Sequence, residues 1–177
     1  MFNLLELTRF RYCPRCASQA LQANDDKSFI CESCGFIYYH GTIASVVAIL
    51  VYKDQLVITR RGNEPYKGWL AFPGGFVDYG ESLENALYRE MKEELNIGIN
   101  KPEYFCSYCD RYCYLDVEYQ TSVAYFLVLL EDSNGLQAGD DVSEVMLKRS
   151  AEIDPASFAF DGDRVALELF LNRFREA

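Results

Sequence analysis

The sequence predicts an α/β fold, a mixed sheet sandwiched between helices with a small N-terminal zinc ribbon in front of it. Three observations carry this expectation: two Cys-x-x-Cys pairs near the start, apolar β-branched runs ahead of a Gly-Gly pair, and an acid-loaded amphipathic helix directly after it. At 177 residues, half of them apolar, the chain can bury one good core plus an appendage. We place the ribbon at residues 9–40 and the main domain at 41–177.

Seventeen basic against twenty-seven acidic residues leave a formal charge of −10, which argues against holding nucleic acid or an anionic membrane by bulk charge. Met1 to Leu7 lacks the basic start of a signal peptide, and no apolar run approaches a membrane span, so a cytoplasmic protein is expected. Seven cysteines, an odd number partly in Cys-x-x-Cys pairs, suit a reducing compartment with a metal better than a disulfide framework.

In chain order, Leu4, Leu5 and Leu7 belong to a segment too short to decide between a short helix and a dimer contact. Cys13 and Cys16 are separated by fourteen residues from Cys31 and Cys34, a spacing that lets two knuckle turns face each other around one tetrahedral Zn²⁺. A segment this small has almost no core, so the metal would supply its folding energy, with a disulfide-linked arrangement as the other possibility. From Arg9 to His40, four basic and three acidic residues leave the ribbon without a basic stripe for nucleic acid. His40, the only histidine, is superfluous beside four cysteines and is read as structural.

Ile43 to Tyr52 is an apolar, β-branched run suited to a buried strand, and Lys53-Asp54 turns it into a hairpin partner, Gln55 to Arg61. Arg60 and Arg61 end that partner just before the Gly-Gly loop, where they would meet substrate phosphates or form a surface salt bridge. Trp69 is expected beneath the loop, and Gly74 and Gly75 let backbone come close to a ligand. Ser82 can cap the helix that follows.

On a helical wheel Leu87, Met91 and Leu95 share a face, with Glu90 and Glu94 inside that stripe and Glu93 at its edge. A solvated acidic helix would put its acids opposite Leu83, Leu87 and Leu95 instead. Inward carboxylates repel one another unless a cation compensates, and their hard oxygens suit Mg²⁺ or Mn²⁺. Beyond the helix, Tyr104 to Tyr114 contains Cys106, Cys109 and Cys113, read as free thiols because a second metal site lacks a fourth ligand nearby. Glu118 to Leu130 reads as a long strand, and Asp140, Asp141 and Glu144 lead into a short one, Val145 to Lys148. The last helix, from Asp163, is expected to pack through Val165, Leu169, Phe170 and Phe174.

Gly75, Glu81 after five residues, and Arg89-Glu90-Met91-Lys92-Glu93-Glu94-Leu95-Asn96-Ile97 after seven more resemble the Nudix box, the signature of the Nudix hydrolases. One position departs, Asn96 standing where the family usually has glycine; Asn tolerates the left-handed conformation that ends a helix. The resemblance implies a metal-dependent hydrolase that cleaves the diphosphate linkage of a nucleoside diphosphate derivative. It implies Mg²⁺ or Mn²⁺ held by Glu90, Glu93, Glu94 and the Gly75 carbonyl, Glu81 supporting the loop or an outer metal, and Arg89 orienting the glutamates. The family's general base varies in position; Glu144 is the candidate here, with Glu90 and Glu93 as rivals. The added ribbon is similar to NADH pyrophosphatase-like members, and a homodimer follows by the same resemblance. Those members carry Ser-Gln-Pro-Trp-Pro-Phe-Pro after the box, where this chain has Ser107-Tyr-Cys-Asp-Arg-Tyr-Cys113. ADP-ribose, an NADH-like dinucleotide and a nucleotide sugar all remain as substrates. From a different class, a ribbon-tethered protein that only senses a nucleotide would not need the intact acids.

Overall fold

The computed structural model describes residues 10–175 apart from Asp116, and side chains through Phe174; Leu4, Leu5, Leu7 and Arg9 lie outside the described residues. At the N-terminal end β1 (Leu21–Ala23), β2 (Ser28–Cys31) and β3 (Ile37–Tyr39) form an antiparallel three-stranded sheet. Two matching turns brace it. In each, the first cysteine's carbonyl accepts from the amide four residues on (Ala17, Gly35) and its own amide donates five residues on (Ser18, Phe36), all at 2.8–2.9 Å. The fourth residue adopts a positive φ in both, 57° at Ala17 and 71° at Gly35.

The larger sheet runs β10–β5–β4–β9–β8, with β4 (Ile43–Tyr52) parallel to β9 (Val117–Leu129) and the other neighbours antiparallel. The remaining strands are β5 (Gln55–Arg61), β6 (Leu70–Ala71), β7 (Gly74–Phe76), β8 (Glu103–Tyr114) and β10 (Val142–Arg149). β4 and β5 pair only beside their hairpin turn and then diverge; β7 takes up the first half of β4 while β6 pairs with β5, so the Gly-Gly loop fills the wedge. Cys106, Cys109 and Cys113 are free thiols on β8.

Both faces of this sheet are covered, which is why β4 reads as a continuous apolar run rather than an alternating one. Val46, Ala48 and Leu50 pack with Ala124, Phe126 and Val128 of β9 against α1 (Leu83–Leu95), whose Ala86, Leu87, Met91 and Leu95 have no exposed surface. Ile49, Val123, Tyr125 and Leu127 face the other way, against Phe158 and α2 (Asp161–Arg175). The buried stripe of α2 is Ala166, Leu167 and Phe170; Leu169 and Phe174, expected in the packing face, are 43% and 45% exposed. Trp69 is also displaced from its expected place: it stands 45% exposed, while Phe72, just ahead of the loop, is the buried ring, packed against Phe158.

Candidate active site

Two glycines allow the Gly-Gly loop to thread between β4 and α1. A β-carbon on Gly74 would strike the Val46 carbonyl, and one on Gly75 would strike the Glu90 carboxylate. The helix that follows is well delimited. Ser82 accepts from the Asn85 amide at its start, and Asn96 closes it at φ 57° with amides donating back to Lys92 and Met91.

Arg89 organises the acids. Its Nε and Nη2 bind the two oxygens of Glu81 at 3.1 and 2.9 Å, Nη2 also reaches the Phe76 carbonyl at 2.9 Å, and Nη1 donates to Glu90 at 2.7 Å and Glu93 at 3.0 Å. The paired guanidinium holds the Glu81 carboxyl below its usual range. Glu94 points elsewhere, accepting from the Gly74 amide at 2.9 Å. Burial drives its carboxyl up to about 8, against the lowering effect of that amide and with Glu90 and Asp141 adding repulsion; burial likewise raises Glu90. Acids this disfavoured mark a place where positive charge is wanted.

They lie in a cavity of about 290 Å³ at the wedge between β4 and β5. Glu90, Glu93, Glu94, Gly75, Arg89 and Arg61 line it, as do Asp140 and Asp141 from the loop that docks on the C-terminal end of α1 through Gln137 and Gly139 amides. At its other end are Ser45, Asp110, Thr121, Tyr125 and Asp163, with Phe76, Tyr112 and Phe160 as walls. The Ser45 hydroxyl is buried there without a hydrogen-bond partner among the described residues. Arg60 and Glu144 are not among the lining residues; they face each other across the β5–β10 ladder and pair at 2.8 Å. Glu81 lies behind Arg89.

Sequence reasoning passed over Asp163, although the signal that exposed Glu94 was present: an acid three and four residues ahead of the buried Ala166 and Leu167 on a helix stripe. It accepts from Tyr125 Oη at 3.0 Å and the Phe72 amide at 3.2 Å, and burial pushes its carboxyl up to about 7. Asp110 and Ser45 had no comparable signal, because strand alternation does not show which position meets a cavity.

The four ribbon sulfurs converge within 4.8 Å of one another, the only such cluster of potential metal ligands among the described residues. Cys13 and Cys34 Sγ are 3.8 Å apart and Cys16 and Cys31 Sγ 3.7 Å, and none is in a disulfide. A tetrahedron of thiolates about 2.3 Å from a Zn²⁺ has edges of about 3.8 Å, so this set fits the ion. The Ser18 hydroxyl, 3.3 Å from Cys31 Sγ, helps bring that thiol down to about 6.

Comparison with known proteins agrees with this geometry. The NUDIX domain family matches residues 42–168. An ADP-ribose pyrophosphatase of Methanocaldococcus jannaschii is 36% identical over 61% of this chain and 62% of its own length. A NAD-capped RNA hydrolase NudC of Stutzerimonas stutzeri is 27% identical over 57% of this chain and 36% of its own. The chain thus spans less than two thirds of the curated relatives it matches. A NUDIX hydrolase from Nitrosomonas europaea superposes with a TM-score of 0.77 at 23% identity, covering 95% of this chain and 94% of that one.

Proposed function

The chain belongs to the NUDIX domain family, and from that membership we propose that it is a metal-dependent hydrolase cleaving the diphosphate linkage of a nucleoside diphosphate derivative. The observation that carries the reading is the cluster of cavity-facing acids of α1, Glu90, Glu93 and Glu94, set against Gly75 and outnumbering the arginines, Arg61 and Arg89, that line the cavity beside them. All the available donors there are oxygens, which fits Mg²⁺ or Mn²⁺, with Glu90, Glu93, Glu94 and the Gly75 carbonyl as the holding set. Such an ion, when bound, supplies charge neutralisation on the diphosphate and a more acidic water.

The chain's own groups do the rest. Arg89, anchored by Glu81, keeps Glu90 and Glu93 aimed into the cavity. Glu93, exposed at the cavity and 3.0 Å from Arg89, is placed to accept a proton from the attacking water, as are Asp140 and Asp141 on the facing loop. Glu144 pairs with Arg60 outside the cavity lining, and we assign the pair a supporting part in holding the loop that carries Gly68. Arg61 lines the cavity and is the arginine we assign to substrate phosphate. The name of the Methanocaldococcus relative favours ADP-ribose and that of the Stutzerimonas relative an NAD-containing substrate; both present the same diphosphate between two ribosyl groups.

The test is product analysis by chromatography after incubating the protein with ADP-ribose, NAD⁺ and a nucleotide sugar with Mg²⁺ or Mn²⁺. A nucleoside monophosphate and the matching second monophosphate are expected from at least one, AMP with ribose 5-phosphate from ADP-ribose or AMP with nicotinamide mononucleotide from NAD⁺; no cleavage of any would end the reading. We further assign Cys13, Cys16, Cys31 and Cys34 to one structural Zn²⁺ in a ribbon over residues 9–40, preceding the hydrolase domain at 41–177. Elemental analysis of protein kept from chelators should find about one zinc per chain.

A further inference from the structure

A second cavity, of about 310 Å³, adjoins the first and shares Asp110, Arg111 and Phe160 with it; Tyr66, Trp69 and Arg164 complete its working wall. Five rings run without a break from this cavity to the Gly-Gly loop. Trp69 meets Tyr66 with ring centres 6.3 Å apart, Tyr66 meets Phe160 at 5.5 Å, Phe160 stacks on Tyr112 at 6.2 Å, and Tyr112 meets Phe76, next to Gly75, at 5.1 Å. The far end of that row is open: Trp69 and Tyr66 are 45% and 40% exposed.

These two rings are held in place rather than left loose. The Trp69 amide donates to the Tyr66 carbonyl, the Arg61 and Gly68 amides close a backbone pair with Trp69 and Arg61, Arg60 Nη1 caps the Gly68 carbonyl at 2.9 Å and Arg61 Nε the Pro65 carbonyl at 2.8 Å. Tyr66 itself sits at φ 66°, a conformation that a bulky residue keeps only where the surroundings impose it. The loop's hydrogen bonding thus fixes two part-exposed rings at the open end of the row.

Charge narrows what could stack there. Asp110, Glu118 and Asp161 line the second cavity against Arg111 and Arg164, three acids to two bases, a formal −1. Each arginine is engaged with one of those acids, Arg164 with Asp161 at 2.5 Å and Arg111 with Glu118 at 4.0 Å. A phosphate is therefore poorly served, whereas an uncharged or cationic ring is well served. Volume points the same way, since each cavity alone is at the small end of the roughly 300–1,000 Å³ typical of ligand sites.

We propose that the second cavity is a subsite for a planar, uncharged or cationic heteroaromatic ring, stacked on Trp69 and Tyr66, so that the substrate using both cavities is a dinucleotide with a ring at each end of its diphosphate. This rests on the diphosphate-hydrolase reading for the first cavity. Trp69 then sets specificity, favouring two-ringed over one-ringed substrates.

Two measurements on the full-length protein test it. In the first, kcat/KM is determined for NAD⁺ and ADP-ribose with Mg²⁺ in wild type, Trp69→Leu and Trp69→Phe. The ratio of NAD⁺ to ADP-ribose should fall about tenfold in Trp69→Leu, within the range of one lost base–aromatic stack, and recover largely in Trp69→Phe; an unchanged ratio would overturn the subsite. In the second, Trp69 is the chain's only tryptophan, so its fluorescence reports the cavity directly in metal-free wild-type protein. NAD⁺ should alter it clearly more than ADP-ribose, and an equal response to both, or none to NAD⁺, overturns the proposal. If wild type cleaves neither compound, the fluorescence comparison alone decides the subsite, and the hydrolase reading is decided separately by the panel that includes the nucleotide sugar.

Discussion

Helices α1 and α2 cover opposite faces of one sheet, and each sets a carboxyl into its apolar stripe: Glu94 beside Leu87, Met91 and Leu95, and Asp163 beside Ala166, Leu167 and Phe170. Burial drives both upward, to about 8 and about 7. Their neighbours differ. Asp163 receives two donors, a tyrosine hydroxyl and an amide, so the protein itself satisfies it. Glu94 receives one amide and faces two acids, Glu90 and Asp141, against the one, Asp110, that Asp163 faces, while Arg61 acts on both. An acid on a buried stripe is thus not by itself a cation site; what the other walls bring decides its use.

The largest expected effect separates the two acids by activity. Glu94→Gln keeps the shape but removes an anionic ligand, so turnover should fall by about a hundredfold or more while the metal-free melting temperature holds or rises. Asp163→Asn should cost stability first, with the specific activity of folded protein changed far less. A folded Glu94→Gln protein with near-native turnover would erase the distinction.

The next effect concerns packing. Leu87→Ala on α1 should cost about 2–5 kcal/mol in denaturant unfolding, whereas Leu169→Ala on α2 should cost under about 1 kcal/mol, since one side chain is fully buried and the other 43% exposed. Comparable losses would mean that α2 packs through the face read from its sequence.

A third experiment uses pH. Both carboxyls titrate higher folded than unfolded, so the native state holds more protons and stability falls as pH rises, from about 4 to about 7 for Asp163 and to about 8 for Glu94, by at most about 1.4 kcal/mol per unit for each. Saturating Mg²⁺ should flatten the Glu94 part and leave the Asp163 part, which Asp163→Asn alone should remove; urea unfolding from pH 4 to 8 reads both. The smallest effect is expected at the end of α1. Asn96→Gly should raise stability by a few tenths of a kcal/mol, because glycine adopts the φ of 57° without strain, and a loss there would assign the Lys92 to Asn96 hydrogen bond the larger share.

The parts of this molecule legible from sequence are those whose reason is local. Helix α1, its Ser82 and Asn96 ends, the inward Glu90 and Glu94, the buried β4 run and the pairing of cysteine turns all follow from spacing along one segment. What escaped depends on segments meeting in three dimensions. Arg60 and Glu144 were separately plausible beside a substrate, yet cross-strand register sets them against each other. The acidic loop was visible, but which of its members enters the cavity follows from its docking on α1, which presents Asp140 and Asp141. Trp69 read as a packing residue because large rings are usually buried; the smaller Phe72 takes the buried place ahead of the loop instead.

The parallel pairing of β4 with β9 governs how the protein must assemble. The two strands are joined by a crossover that contains β5, the Gly-Gly loop, α1 and β8, so every acid of α1 lies inside a long closed loop of chain. Closing such a loop costs entropy before any contact repays it, so β9 should dock late and slowly, and the local β4–β5 hairpin early. Until that closure the Gly-Gly loop has a strand to lean on but Ala124, Phe126 and Val128 are missing from beneath α1. Catalytic competence should therefore return in step with the slowest major refolding phase, and a chain ending before β9 should accumulate as an inactive, protease-sensitive species.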